Sequence, residues 1–505
     1  MKERWFNYRP ILLTFSFLLL GSLFAFYYSS QMVLSVSIAL LGTVLLIALA
    51  VYKKKIQYVL VALISLIIGF GAYELAVYNF NQTIDYVPTN IEARVVNISN
   101  IQNGRITLEL DSCLFNDESA DGNMIIYVYD STGLFEGLEI GREISFKPLQ
   151  FYKTDLFYHG TPNANMYASN RKYTATVNIS SIELKEVNKT WAEFIKQQIK
   201  DNLYIGLSNE NAELAYSTLF GEKEMLSSDV YSAYRLSGVA HLLAVSGLHV
   251  GIIVLILSFI LKKCRAKDWV RLLVISIFLM LYLSLCNFTV SAIRASIMAI
   301  VLILADLLHR DYDSFNAISL AGIVIFAINP LSIFDVSFLM SFACAFGIAL
   351  LYKTFLKGFL HIKCPKYLSE ALSLSLATTI SLLFVMAYYF QTLNVISLIA
   401  NIVIIPLFTV AFVCIFLSSI LSLIFPYIMY LMYPINYLLN FITLLSNIFG
   451  NLPISNFTTI KFDMIAIVLY YLIIVIMSRL CTAKNTYKVL ATLPMIVLLV
   501  WCLIY

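Results

Sequence analysis

The chain has 505 residues, 60% of them hydrophobic and 13% charged, with a formal net charge of +4. Soluble domains are nearer half apolar and a quarter charged, so a wholly soluble globule is excluded and a multi-span membrane protein is indicated. The charge is unevenly spread: residues 80–190 hold 14 Asp and Glu against 9 Lys and Arg, and the remainder is basic.

Three apolar runs open the chain, at 11–28, 32–52 and 56–78. Each approaches the roughly 20 residues needed to cross a bilayer core of about 30 Å. Lys2 to Tyr28 has the basic start and apolar stretch of a signal sequence. It lacks a small-x-small cleavage site and two more spans follow, so a retained anchor is expected. Lys2, Arg4, Arg9 and Lys53-Lys54-Lys55 put the N-terminus and first loop in the cytoplasm. Residues 1–79 thus form a three-span segment whose last helix leads outward.

Residues 80–188 read as a small extracytoplasmic all-β domain. Apolar and polar residues alternate at 91–99, 105–110, 124–130, 142–149 and 173–180, with turn signals at Asn103-Gly104, Asp121-Gly122-Asn123 and Gly137. Five short strands suit an OB-like barrel; a small sandwich fits the count equally well. Cys113 is the one cysteine of this region, so no disulfide forms within it, and the eight cysteines of the chain contain no CxxC pair. Residues 189–237 form an amphipathic helical linker, with Trp191, Phe194, Ile195, Ile199 and Leu203 at helical spacing. It lies on the membrane surface or packs against the β domain.

Residues 238–505 form the second membrane block. Apolar spans are predicted at 239–261, 269–286, 289–308, 315–334, 336–356, 369–390, 395–425, 426–449, 464–478 and 489–505, giving about 13 in all. The run 395–425 is too long for one straight span; Asn401 and Pro406 within it suggest a kink or a partly re-entrant turn. Basic residues gather at Lys262 to Lys267, His309-Arg310, Lys353 to Lys366 and Arg479 to Lys488, alternating with loops that hold Lys461 alone. That pattern places the basic loops inside and the C-terminus outside.

The densest chemistry lies in Gly238 to Ile253, where His241, Ser246, Gly247, His249 and Gly251 sit at the mouth of an apolar span. Polar groups at membrane depth face protein or water, and glycines permit a broken helix lining a wet cavity. The segment therefore forms a path or site, or else holds satisfied interfacial histidines. Ser246 and His249 at i,i+3 could meet as a nucleophile–base pair, but no acid lies nearby in sequence. His241 and His249 stand about 80° apart on an unbroken helix, too far to share a zinc ion. No metal or cofactor motif and no GxxxxGK[ST] nucleotide loop is present. Arg294 reads as the only Arg or Lys within a span; it requires a partner, with Asp335 and Asp306 as candidates, or else snorkels to the interface.

His241 to Val250, HLLAVSGLHV, resembles the signature of the ComEC competence family, the inner-membrane channel of bacterial DNA uptake. Leu219-Phe220-Gly221-Glu222 and Ala233 to Gly238 resemble its lead-in, and Ser291 to Ala295 its S-x-x-R-A element. Asn329-Pro330 with Phe338 to Phe342, and Leu398 to Pro406, resemble later family stretches in the right order. Thr161-Pro162-Asn163 and Tyr167 to Tyr173 resemble the end of the family's external domain. Cys286-Asn287-Phe288, Ser337 and Leu339 depart from the family pattern.

The resemblance implies a channel for single-stranded DNA in the bacterial cytoplasmic membrane, with membrane lipids around it. It also implies a cytoplasmic helicase-like ATPase as a partner, and the acidity of the external domain points to a separate external DNA receptor. His241, Ser246, Gly247, His249, Arg294, Asp335, Asn401 and Pro406 are the residues expected to line or shape the path. Many members add a metallo-β-lactamase-like domain; this sequence carries no HxHxD motif, so no nuclease activity is expected of it. A membrane-embedded hydrolase using Ser246 and His249, or a transporter of another polyanion or lipid, are the alternatives. The external domain is acidic, so it is expected to be a weak DNA trap unless Arg171-Lys172 provides a local basic patch.

Overall fold

The computed structural model describes residues 9–30, 56–81, 86–102, 105–129, 140–153, 171–187, 189–223, 226–390, 392–452 and a few short stretches besides. The expected span at 32–52, the triple lysine, Asn163, and most of 464–478 and 489–505 lie outside the described residues. The helices are α1 (Pro10–Ser30) and α2 (Ile56–Asn81) and, after the β domain, α3 (Trp191–Gly206), α4 (Asn209–Phe220) and α5 (Ser228–Leu236). The membrane block continues with α6 (Gly247–Lys263), α7 (Asp268–Leu285), α8 (Val290–Leu307), α9 (Ser314–Ile328) and α10 (Val336–His361). It closes with α11 (Lys366–Phe390), α12 (Ser397–Ser422) and α13 (Tyr433–Gly450). Among the described residues seven helices are long and apolar enough to cross a membrane, and Pro10–Phe26 and Ser314–Ile328 are shorter apolar helices.

In lipid the hydrophobic effect does not pull helices together, so close packing of small residues and polar contacts must do so. The α1–α2 pair shows this. A Cβ on Gly21 would lie 2.2 Å from the Leu66 carbonyl oxygen, and one on Gly69 would lie 2.2 Å from that of Leu18. Ser22 Oγ donates to the Gly69 carbonyl at 2.9 Å. The pair leans on α9 and α10 through a core of Phe15, Phe26, Tyr73, Phe326, Phe334 and Phe342. Arg9 pairs with Asp313 at 2.6 Å and lies 4.6 Å over the Phe315 ring. The starts of α1 and α9 therefore share one side of the membrane.

The β domain is a closed five-stranded barrel of β1 (Ile91–Gln102), β2 (Arg105–Phe115), β3 (Asn123–Tyr129), β4 (Arg142–Lys153) and β5 (Arg171–Val187). The order around it is β1-β2-β3-β5-β4, with β4 returning to β1; β3 and β5 run parallel and the other pairs antiparallel. Closure rules out the sandwich. Period-two alternation selects the interior: Ile91, Ala93 and Val95, then Ile106, Leu108 and Leu110, then Met124, Ile126 and Val128, then Tyr173, Ala175 and Val177. Cys113 is buried with them, and burial, followed by nearby Asp111, pushes its thiol up to about 12. Arg171 pairs with Glu109. Lys172 is 2% exposed, and its Nζ donates to Asp121 at 2.7 Å and to the Asn79 carbonyl at 2.9 Å. The expected basic patch is thus consumed internally, Lys172 tying the barrel to the end of α2.

The linker helix α3 packs Ile199 and Leu203 into the core of the membrane block, leaves Trp191 and Phe194 exposed, and meets the barrel through Glu193 and Arg94 at 3.5 Å. The α3–α4 turn is pinned there by asparagines. Asn202 donates to Ser422, Asn211 to Asn436 and Asn440, and Asn436 to the Gly206 carbonyl. The run 395–425 contains no re-entrant turn; α12 continues through Pro406, whose ring is accommodated inside the helix. The helix expected over 239–261 begins only at Gly247.

Candidate functional site

That late start makes the site. Gly238 adopts φ of 78°, open to glycine but strained for other residues, and a Cβ there would lie 2.5 Å from Ser397 Cβ. The turn is held as Asn394 Nδ2 donates to the Leu236 carbonyl at 2.5 Å. Ala240–Leu243 then form one 3-10 turn, Ala244 is extended, and Ser246 caps α6. Ser217 Oγ donates to the Leu243 carbonyl at 3.3 Å, fastening this broken stretch to α4.

Ser246 and His249 form a capping box. The Ser246 N–H donates to His249 Nδ1 at 3.1 Å, Ser246 Oγ lies 2.9 Å from the same nitrogen, and the Leu248 N–H donates to Ser246 Oγ at 3.2 Å. Since Nδ1 accepts from the backbone, a neutral ring carries its proton on Nε2. Nε2 is buried without a hydrogen-bond partner among the described residues. The ring stands nearly perpendicular to Phe412, centroids 4.5 Å apart, and to Phe408 at 5.6 Å. A Ser–His contact therefore exists, but nothing on the far side of the imidazole orients it as an acid would in a triad.

Arg294 lies across from this cap. It is 9% exposed, which removes the snorkelling alternative. Its Nη1 donates to the Ser341 carbonyl of α10, its Nε has no hydrogen-bond partner among the described residues, and its Nη2 is placed so that a Cβ on Gly247 would lie 3.4 Å away. Neither predicted carboxylate reaches it. Asp335 caps α10 by accepting from the Ser337 N–H at 3.0 Å, and Asp306 pairs with Arg271 at 3.5 Å. Arg271, 5% exposed in α7, is also a second buried arginine within a predicted span; Asp268, at 3.3 Å, and Asp306 satisfy its charge.

The first two turns of α6, α8 and α10 meet here, through Gly247 against Arg294, Arg294 on Ser341, and Ser341 Oγ donating to Ser291 Oγ at 3.3 Å. Helix N-termini carry partial positive charge, so the dipole ends of α6 and α8 reinforce an unpaired guanidinium. The arrangement suits an anionic group with several acceptor oxygens.

The structure thus brings together Ser246, Gly247, His249 and Arg294. His241 is exposed on the 3-10 turn, Asp335 serves its own helix, and Asn401 and Pro406 belong to α12, which supplies Phe408 and Phe412 to His249. The sequence reading missed Ser341, Phe408 and Phe412 as site neighbours, because nothing local marks a serine carbonyl or two phenylalanines among 35.

The Competence protein family model matches residues 218–484, more than half of the chain and all of this site. The chain belongs to the Competence protein family. The chain is similar to ComE operon protein 3 of Bacillus subtilis strain 168, 29% identical over 203 residues, 40% of this chain and 25% of the relative. Recombination protein 2 of Haemophilus influenzae Rd is 27% identical over 175 residues, 32% of this chain and 21% of the relative. An uncharacterized protein of Aquifex aeolicus VF5 is 31% identical over 179 residues, 35% and 40% respectively. The alignments therefore span between a fifth and two fifths of these relatives. No solved structure matches the chain.

Proposed function

We propose that this competence-family protein forms the path by which single-stranded DNA crosses the cytoplasmic membrane. Arg294, buried without a counter-ion among the described residues at the converging N-terminal turns of α6, α8 and α10, carries the reading. A guanidinium kept at membrane depth without a counter-ion suits a ligand that brings its own negative charge, and phosphates do so at regular intervals. Gly247 leaves the approach to Nη2 free of a side chain. Ser246 and His249 hold the α6 N-terminus in place.

The external barrel is OB-like: its strand order and the parallel β3–β5 pair support that assignment. It is acidic and its Arg171 and Lys172 are engaged, so delivery by a separate receptor is the more economical arrangement. In this reading the N-terminus faces the cytoplasm, and a helicase-like ATPase draws the strand past the basic ends of α6, α8 and α10. No chemical step is assigned to the chain.

A second reading, a hydrolase acting through Ser246, is favoured by the 2.9 Å contact to His249. The two separate cleanly. Uptake of labelled DNA by a deletion strain should be restored by the wild-type protein and not by Arg294→Gln. Covalent labelling of Ser246 by a serine-directed probe would favour the hydrolase, and unchanged uptake in the deletion strain would remove the leading reading.

A further inference from the structure

Just outside the Arg294 site lies a buried ion pair that the proposed path does not use. Lys196 Nζ of α3 is 2.6 Å from Glu222 Oε1, with side-chain exposures of 7% and 15%. Tyr216 OH of α4 donates to the other oxygen, Glu222 Oε2, at 3.0 Å. A pair this enclosed is a poor source of stability, since desolvation offsets the attraction and an apolar pair of similar volume often does as well. What such a pair does supply is a fixed geometry.

The surrounding contacts indicate which geometry. Glu222 follows Gly221, the left-handed cap of α4, and a Cβ on Gly221 would lie 3.3 Å from the Val245 side chain and 3.4 Å from its backbone nitrogen. Val245 directly precedes Ser246. On the other flank Tyr282 OH donates to the Leu219 carbonyl at 2.8 Å, and Ser217 holds Leu243. The turn 219–222 is thus the seat on which Val245, just after the extended Ala244, rests, and the ion pair anchors the free side of that seat. One helical turn before Lys196, Glu193 meets Arg94 of the barrel at 3.5 Å, so α3 touches the barrel with one turn and the seat with the next.

We propose that Lys196 and Glu222 are positioning residues, whose ion pair sets the turn that holds the α6 N-terminus against Arg294. The proposal rests on the Arg294 reading for its functional meaning, but its geometry can be tested without it. The reporter is Ala244→Cys in the full-length protein in lipid nanodiscs, labelled with a maleimide and quantified by peptide mass spectrometry. Lys196→Met and Glu222→Gln should each change the labelling rate at least fivefold. The charge swap Lys196→Glu with Glu222→Lys should return it to within twofold of the parent. DNA uptake by a complemented deletion strain should follow, falling at least tenfold in each single variant and recovering in the swap.

Labelling that ignores the single variants overturns the proposal. So does a swap that melts like the parent yet labels like the single variants; should the swap itself fail to fold, Lys196→Arg must restore the parent rate. If labelling behaves as expected but uptake is indifferent to Arg294→Gln, the positioning role stands and the DNA-path reading fails.

Discussion

Replacing Arg294 with methionine should make the protein more stable and less functional. A charged side chain at the centre of a membrane helix costs about 2.5–3.5 kcal/mol, an upper bound for Arg294 in the second turn of α8. Arg294 recovers part of this through its bond to the Ser341 carbonyl, about 1.5–3 kcal/mol for a hydrogen bond involving a charged group. Its Nε has no partner and no carboxylate pairs with it among the described residues, so a burden of up to about 2 kcal/mol remains. Methionine keeps much of the length and drops the charge. Arg294→Met should therefore raise the unfolding midpoint of the purified protein, by about 2–4 °C per kcal/mol for a cooperative unit of 150–250 residues, while DNA uptake falls at least tenfold. Arg271→Met is the control: that arginine is equally buried but flanked by Asp268 and Asp306, so its loss should be neutral or mildly destabilising, since both carboxylates are largely solvated. A midpoint that drops in Arg294→Met by the equivalent of more than about 1 kcal/mol would refute the reasoning, because it would mean that the guanidinium is already satisfied.

Four further outcomes are expected. Gly206→Ala should misfold or melt far below the parent, because its Cβ would fall 1.8 Å from the Met429 carbonyl oxygen. Gly251→Ala, with open space around its Cβ position, should be neutral or more stable by about 0.5–1 kcal/mol, as read by thermal melting in detergent. Cys113 should resist iodoacetamide at pH 8 while exposed Cys264 reacts. The native thiol, raised to about 12, keeps its proton while the unfolded one loses it near 8.5, so barrel stability should fall as pH climbs between those values, by up to about 1.4 kcal/mol per unit. Cys113→Val should abolish that slope. The isolated 80–188 barrel should bind DNA weakly at physiological salt; tight binding in a shift assay would contradict the internal pairing of Arg171 and Lys172.

The sequence by itself determined the membrane class, the five strands and the neighbourhood of the site. Those signals are local: long apolar runs, period-two alternation at Ile91 to Val95, and glycines beside Ser246 and His249. Closure of the barrel was not legible, because the β1–β4 and β3–β5 pairings join residues far apart in the chain. Nor was the fate of single polar residues. Lys172 and Arg171 look like a basic patch in sequence and are spent on Asp121 and Glu109 in the fold. Asp335 and Asp306 look like partners for Arg294 and serve a helix cap and Arg271 instead. Ser246 and His249 look like a catalytic pair and form a capping box. Sequence spacing fixes which face of a helix a side chain occupies, whereas its partner depends on which helices cross there. Those crossings are set by the tertiary fold, which places Arg294 against Gly247 with no carboxylate paired to it among the described residues.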